Sequence, residues 1–144
     1  MENKFAVALF LKRPGHEDEF LAVKRPPEDK GMPLVWGLPA VTINKDELPE
    51  EMARRVGREK LNTGIEPVSI IGVGSADQGD WTLVLMVIEA RLVGVPPDVT
   101  RAITKYTKYT EQKWTSDFSI LKEAAVKGSL CTRILLQHKG IDWT

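Results

Sequence analysis

The chain has 144 residues, of which 42% are hydrophobic and 28% charged, and its 20 basic residues balance its 20 acidic residues. This composition is typical of one globular domain, and a balanced charge gives no general attraction to nucleic acid or anionic lipid. We therefore expect a single domain over residues 1–144, without a membrane partner or specific nucleic-acid binding. The single cysteine, Cys131, excludes an intrachain disulfide. It lies in an apolar pattern, so we expect it to be buried in a cytoplasmic protein.

The first half of the chain predicts strands followed by one helix. Pro49 suits the first turn of a helix, and Glu50 and Glu51 favour the positive end of its dipole. The sequence Asn62-Thr63-Gly64 is a stop signal, so the helix is expected to end at about Leu61. Three apolar-rich segments before residue 40 predict strands: Phe5 to Lys12, Glu19 to Arg25 and Leu34 to Leu38. A proline follows the third segment and ends it.

The second half predicts two long strands and two C-terminal helices. The strands are expected at Val68 to Val73 and Trp81 to Val93, on either side of a turn at Gly74 to Asp80. Helical segments follow at Phe118 to Lys127 and Ser129 to Lys139. Ser116 or Asp117 is expected to cap the first of these helices, and Ser129 the second.

The stretch from Trp36 to Ile65, WGLPAVTINKDELPEEMARRVGREKLNTGI, carries the most information. It resembles the Nudix box, whose pattern is G-x5-E-x7-R-E-U-x-E-E-x-G-U, where U is a bulky apolar residue. Glu47 and Arg55 fall on the first Glu and on the Arg of the box, whereas Val41 stands at its glycine. The box has three carboxylates on its helix. This chain has Val56 at the first of these positions, keeps a carboxylate at the second with Glu59, and has Lys60 at the third. The box is therefore degenerate, with one carboxylate of three.

The Nudix resemblance implies a fold and an activity. The fold would be α/β, of the α+β type: an α/β/α sandwich around a mixed sheet. The activity would be hydrolysis of a nucleoside diphosphate linked to another moiety, by metal-assisted attack of water on the pyrophosphate. Glu59 would be the surviving catalytic ligand of Mg²⁺ or Mn²⁺, supplemented by Glu51, while Glu47 and Arg55 would form a scaffold ion pair. The resemblance also implies that two copies could form a homodimer. A further acidic ligand could come from a downstream residue: Asp77, Asp80 or Glu111.

The lost carboxylates favour an alternative function. An ammonium at Lys60 beside Glu59 repels a divalent cation. Arg58 and Lys60 could instead hold a phosphate group directly, so the chain could bind a nucleotide or phosphorylated metabolite with little turnover. A purely structural interpretation also exists, because Glu51–Arg55 and Arg55–Glu59 have the spacing of stabilising helix pairs.

Aromatic residues supply candidate contacts to a nucleobase. Trp36 and Tyr106 could stack on a base, although Trp36 also suits core packing. Lys105, Tyr106, Lys108 and Tyr109 form a basic and aromatic strip, which predicts either a nucleotide contact or an edge strand.

Two further features concern the end of the box. Gly57 stands where the box has an apolar core residue, and we expect it to allow a close approach between helix and sheet. Gly64 and Ile65 resemble the closing Gly-U but come two residues late, which predicts a short insertion near Asn62-Thr63.

Overall fold

The structure is a computed structural model that describes residues 2–104 and 106–144. Seven strands form one sheet: β1 (Glu2–Arg13), β2 (His16–Lys24), β3 (Trp36–Gly37), β4 (Ala40–Thr42), β5 (Ile65–Asp77), β6 (Trp81–Leu92) and β7 (Glu111–Thr115). Their order is β3-β2-β1-β6-β5, with β4 paired to β1 and β7 paired to β2. Strands β1 and β6 are parallel and the other pairs are antiparallel, so the sheet is mixed.

Helices cover the two faces of this sheet. Helix α1 (Pro49–Arg55) continues directly into a π-helical turn, Val56–Lys60. Near the C-terminus lie α2 (Lys122–Val126) and α3 (Leu130–His138). Short 3₁₀ turns occur at Val99–Arg101 and Phe118–Leu121. No helix in the described part of the chain is long and apolar enough to cross a membrane.

Successive side chains of each strand point to opposite faces of the sheet, so the core has two layers. In β1, Val7 and Leu9 pack in the layer that contains Met52 of α1. Ala8 and Phe10, on the opposite face of the same strand, pack in the layer that contains the C-terminal helices. The predicted α/β/α sandwich with a mixed sheet is therefore confirmed.

Several element boundaries differ from the predicted ones. The segment expected as one strand from Leu34 to Leu38 contributes only the two residues of β3, and β4 follows beyond Pro39. The prediction of a turn from Gly74 to Asp80 is wrong for residues 74–77, because β5 continues to Asp77. The edge strand expected at residues 105–109 is also wrong for Tyr106 to Tyr109, because the strand begins at Glu111. Lys105 lies outside the described residues.

The C-terminal predictions hold more closely. The Asp117 carboxylate accepts a hydrogen bond from the Ser119 amide and so caps the first 3₁₀ turn of this region. Ser129 is the cap residue of α3, but its side chain makes no capping hydrogen bond and lies 3.5 Å from the Cys131 sulfur. Cys131 is buried and unpaired, as predicted.

Gly57 provides the close approach that its position suggested. A Cβ atom at this residue would lie 2.8 Å from the Thr63 carbonyl oxygen and 3.0 Å from Cγ1 of Ile65, the first residue of β5. Asn62 has a positive φ of 52°, which turns the chain from the helix toward β5. The missing side chain at Gly57 therefore sets how tightly the box helix closes on the sheet.

Candidate functional site

Arg55 joins the three segments of the box. Its guanidinium contacts both carboxylate oxygens of Glu47, with Nε 2.7 Å from Oε2 and NH2 2.9 Å from Oε1. NH2 also donates to the Thr42 carbonyl at 2.6 Å, and NH1 to Glu59 Oε1 at 3.2 Å. The Glu47 contact lowers the pKa of that carboxyl and raises the pKa of Arg55. The predicted ion pair is present, and it ties the loop between β4 and α1 to the helix.

Lys60 places a buried amine at the end of the π-helical turn. Only 4% of the residue is exposed. Its Nζ donates to the Thr107 carbonyl at 2.5 Å and lies 5.3 Å from the centroid of the Tyr109 ring. No carboxylate of the described residues lies within 4 Å of this nitrogen in an ion pair. Burial, helped by the charges of Arg25 and Arg55 and opposed by Glu59, lowers the pKa of Lys60 to about 8.

The carboxylates expected as metal ligands have other partners. Glu59 is half-buried and bound to Arg55. Glu51 is exposed, and its Oε1 accepts a hydrogen bond from the Leu48 amide at the start of α1. Glu51 was expected to supplement Glu59 as a metal ligand, but a π-helical turn interrupts the regular α-helix between them. Val56 is fully buried in the core.

Residues 106–110, which we call the strap, cover the Lys60 amine. The strap supplies the Thr107 carbonyl that accepts from Lys60. The Tyr109 side chain is buried, and its hydroxyl oxygen accepts a hydrogen bond from the Ala40 amide at 3.0 Å. This burial raises the pKa of Tyr109 to about 12. At the end of the strap, the Thr110 amide donates to the Lys24 carbonyl at 2.9 Å.

Solved structures with the same architecture identify the fold. A MutT protein from Methanosarcina mazei Go1 superposes with a TM-score of 0.70 at 16% identity, over 96% of this chain and 94% of that one. A NUDIX hydrolase from Nitrosomonas europaea superposes with a TM-score of 0.70 at 16% identity, over 96% of this chain and 90% of that one. The chain has the Nudix fold. An ADP-ribose pyrophosphatase from Streptococcus suis 89-1591 shares this Nudix fold with a TM-score of 0.59 and 13% identity, over 90% of each chain. No protein-family model and no curated protein matches the sequence.

The residues of this Nudix-fold chain do not fit the metal that the resemblance implies. A divalent cation such as Mg²⁺ requires several hard oxygen ligands. The three positions that carry carboxylates in the box hold a buried valine, a carboxylate bound to arginine, and a buried amine. Within residues 2–104 and 106–144, no three His, Cys, Asp or Glu side chains are grouped to share a metal ion.

The side chains of the remaining predicted residues make no hydrogen bond or ion pair with the Lys60 amine in the described part of the chain. Arg58 is exposed and lines an open groove with Arg54 on the outer side of the helix. Trp36 packs in the other core layer of the Nudix fold, with Lys113 Nζ 4.6 Å from its ring centroid. Tyr106 is 83% exposed on the strap. The structure therefore does not bring Arg58, Trp36 and Tyr106 together at the amine.

The downstream acids do not complete a metal site either. Glu111 pairs with Lys24 at 3.3 Å, and Asp77 accepts from the Gly79 amide in the hairpin between β5 and β6. No hydrogen bond or ion pair joins either residue to Glu59 in the described part of the chain.

Sequence reasoning missed the contacts of Tyr109 and Ala40. Tyr109 was grouped with the basic and aromatic strip, but it is the buried member that fills the space beside Lys60. Ala40 lies 69 residues away in sequence. The lysine that replaces a box carboxylate was the signal that could have led to these contacts. A buried amine requires an oxygen atom as hydrogen-bond partner, so one had to come from elsewhere in the fold.

Proposed function

We propose that the chain is a Nudix-fold module that binds a nucleotide or phosphorylated metabolite without metal-dependent turnover. The observation that carries this proposal is the buried Lys60 amine at a box carboxylate position. A positive charge there disfavours a divalent cation and favours an anion.

The hydrogen bonding of Lys60 supports a direct contact with phosphate. An ammonium has three N–H donors, and the one described acceptor is the Thr107 carbonyl. An anionic oxygen would add attraction between opposite charges to the hydrogen bond from the ammonium, which a neutral carbonyl oxygen does not supply. Arg25 adds positive charge close enough to lower the pKa of Lys60, although it is itself paired with Asp29 at 3.5 Å. The site therefore offers cationic groups to the phosphate end of a ligand.

Calorimetric titration with ADP in the presence of a chelator tests this proposal. We expect saturable binding to the wild type and to Lys108→Met, which removes an exposed strap lysine. Lys60→Met is expected to lose most of the affinity, because it replaces the donor by an apolar group of similar length. Equal ADP binding by Lys60→Met and wild type would refute a role for the amine.

The second candidate is a divergent pyrophosphohydrolase that acts on a nucleoside diphosphate linked to another moiety. The fold favours it, since similar solved structures are named as an ADP-ribose pyrophosphatase and a UDP-X diphosphatase. The retained Glu47–Arg55 pair also favours it. In this candidate Glu59, helped by Glu51, would provide the Mg²⁺ or Mn²⁺ ligands, and water would attack the pyrophosphate.

Turnover separates the two candidates. The binding module predicts no release of nucleoside monophosphate from ADP-ribose in Mg²⁺ or Mn²⁺. Release by the wild type that is abolished in Glu59→Gln would favour the hydrolase. A homodimer and a cytoplasmic location stay predictions, and sedimentation velocity would test the former.

A further inference from the structure

Strand β5 is the last strand of the sheet. Its one partner among the described strands is β6, so the opposite edge of β5 has no neighbouring strand in the described part of the chain. Residues 68–76, VSIIGVGSA, contain neither a charge nor a proline. Pro67 and two bulges lie at or before Ile71, and residues 72–77 keep a regular register with β6. Because an unpaired row of N–H and C=O groups can pair with another strand, this edge, residues 68–77, is open for pairing. We call it the β5 edge.

One face of the β5 edge carries exposed apolar side chains. Ile70 is 62% exposed and Val73 is 57% exposed. They lie opposite Ile88 and Met86 of β6, which are two residues apart and face the core layer of α1. Helix α1 reaches β5 near its start and leaves these two side chains uncovered. A second strand along this edge would bury them.

The two ends of the β5 edge carry complementary charges. At its start, the Arg54 side chain binds Glu66 at 2.9 Å and is still 46% exposed. At its other end, Asp77 and Asp80 are exposed. In an antiparallel pair of identical strands, the start of one strand lies beside the end of the other, so each arginine approaches the aspartates of the second copy. A parallel pair would bring like charges together.

We propose that a second copy of this chain pairs antiparallel with the β5 edge, so that one continuous sheet runs through a symmetric dimer. The inference goes beyond the proposed function and does not depend on a ligand. Such a pair has two-fold symmetry, so each contact occurs twice. The uncharged middle of the edge pairs with itself, and the 20 basic and 20 acidic residues give no general repulsion between copies. The chain itself supplies the complementary ends that a peptide from another protein would have to match.

Sedimentation velocity at increasing protein concentration, up to about 1 mM, tests this inference. The wild type is expected to shift from monomer to dimer. Val73→Lys places two like charges in the middle of the paired edge and should raise the dimer Kd about tenfold. Val126→Lys is the matched control, since Val126 is 62% exposed but lies in α2. This control should dimerise like the wild type.

Charge reversal tests the antiparallel arrangement. Arg54→Glu should raise the dimer Kd about fivefold, because the new carboxylate of each copy faces the aspartates of the other. Adding Asp77→Arg to Arg54→Glu should return the Kd toward the wild-type value. Hydrogen exchange gives a second measurement, in which amides of residues 72–77 should exchange more slowly at concentrations that populate the dimer.

The outcomes are distinct from those of the ADP titration, so the proposed function can fail without affecting this inference. A wild type that stays monomeric at every concentration would overturn the dimer. A dimer whose Kd is the same for Val73→Lys and the wild type would show that another surface mediates pairing. Failure of Asp77→Arg to restore dimerisation of Arg54→Glu would exclude the antiparallel arrangement.

Discussion

Replacing Lys60 by methionine is expected to stabilise the protein at neutral pH. The pKa of Lys60 falls from its ordinary value of 10.5 to about 8 in the folded protein. At roughly 1.4 kcal/mol for each pKa unit, this corresponds to a cost of about 3 kcal/mol for the charged form. Methionine avoids that cost but loses the hydrogen bond that the charged amine donates to the Thr107 carbonyl, which contributes about 2 kcal/mol. The free energy of unfolding should therefore rise by about 1 kcal/mol.

The pH dependence has a definite sign. Because the pKa of Lys60 is lower in the folded than in the unfolded protein, the unfolded state binds more protons between those two values. The cost of the charged amine is present below the folded-state pKa and is relieved as pH rises. From about pH 7 to about pH 9.5, the wild type should gain about 2 kcal/mol from this residue, and Lys60→Met should not.

Urea unfolding followed by tryptophan fluorescence measures both effects. The wild type, Lys60→Met and the exposed control Lys108→Met are compared at several pH values, and the difference between variants cancels the other titrating groups. Lys108→Met should follow the wild type throughout. A difference between the wild type and Lys60→Met that does not change with pH, or a strong destabilisation by Lys60→Met, would refute the reasoning.

Three further predictions concern the box helix. Arg55→Lys should lower the free energy of unfolding by about 3 kcal/mol, since an amine cannot reproduce the two-pronged contact with Glu47; thermal unfolding measures this. Because Arg55 lowers the pKa of Glu47, the stabilisation is present above pH 4.5 and is lost as pH falls through the folded-state value. Acid unfolding of Glu47→Gln should accordingly show a smaller loss than the wild type. Gly57→Ala should lower the melting temperature despite the better helix propensity of alanine, because its Cβ would contact Thr63 and Ile65 too closely.

The parts of the site that depend on local sequence were predictable. Glu47 and Arg55 lie eight residues apart, and the resemblance to the box implied an ion pair between them, which the structure contains. The start of α1 at Pro49 also followed from local signals. A lysine at position 60, where the box has a carboxylate, was enough to indicate a weakened metal site.

The surroundings of Lys60 were not predictable, for two physical reasons. The prediction used a regular α-helix, whereas the residues from Val56 to Lys60 form a wider π-helical turn that changes the direction of each side chain. The partners of the amine come from Thr107 and Tyr109, more than 40 residues later, and only the closed fold brings them together. The charge pattern along the helix gave no sign that Lys60 is buried.

The most direct test of the account is calorimetric titration of the metal-stripped protein with Mn²⁺. The wild type should show no saturable binding, because the three box positions hold a buried valine, a carboxylate bound to arginine and a buried amine. Saturable Mn²⁺ binding by the wild type that disappears in Glu59→Gln would contradict the claim that a buried amine has replaced the metal.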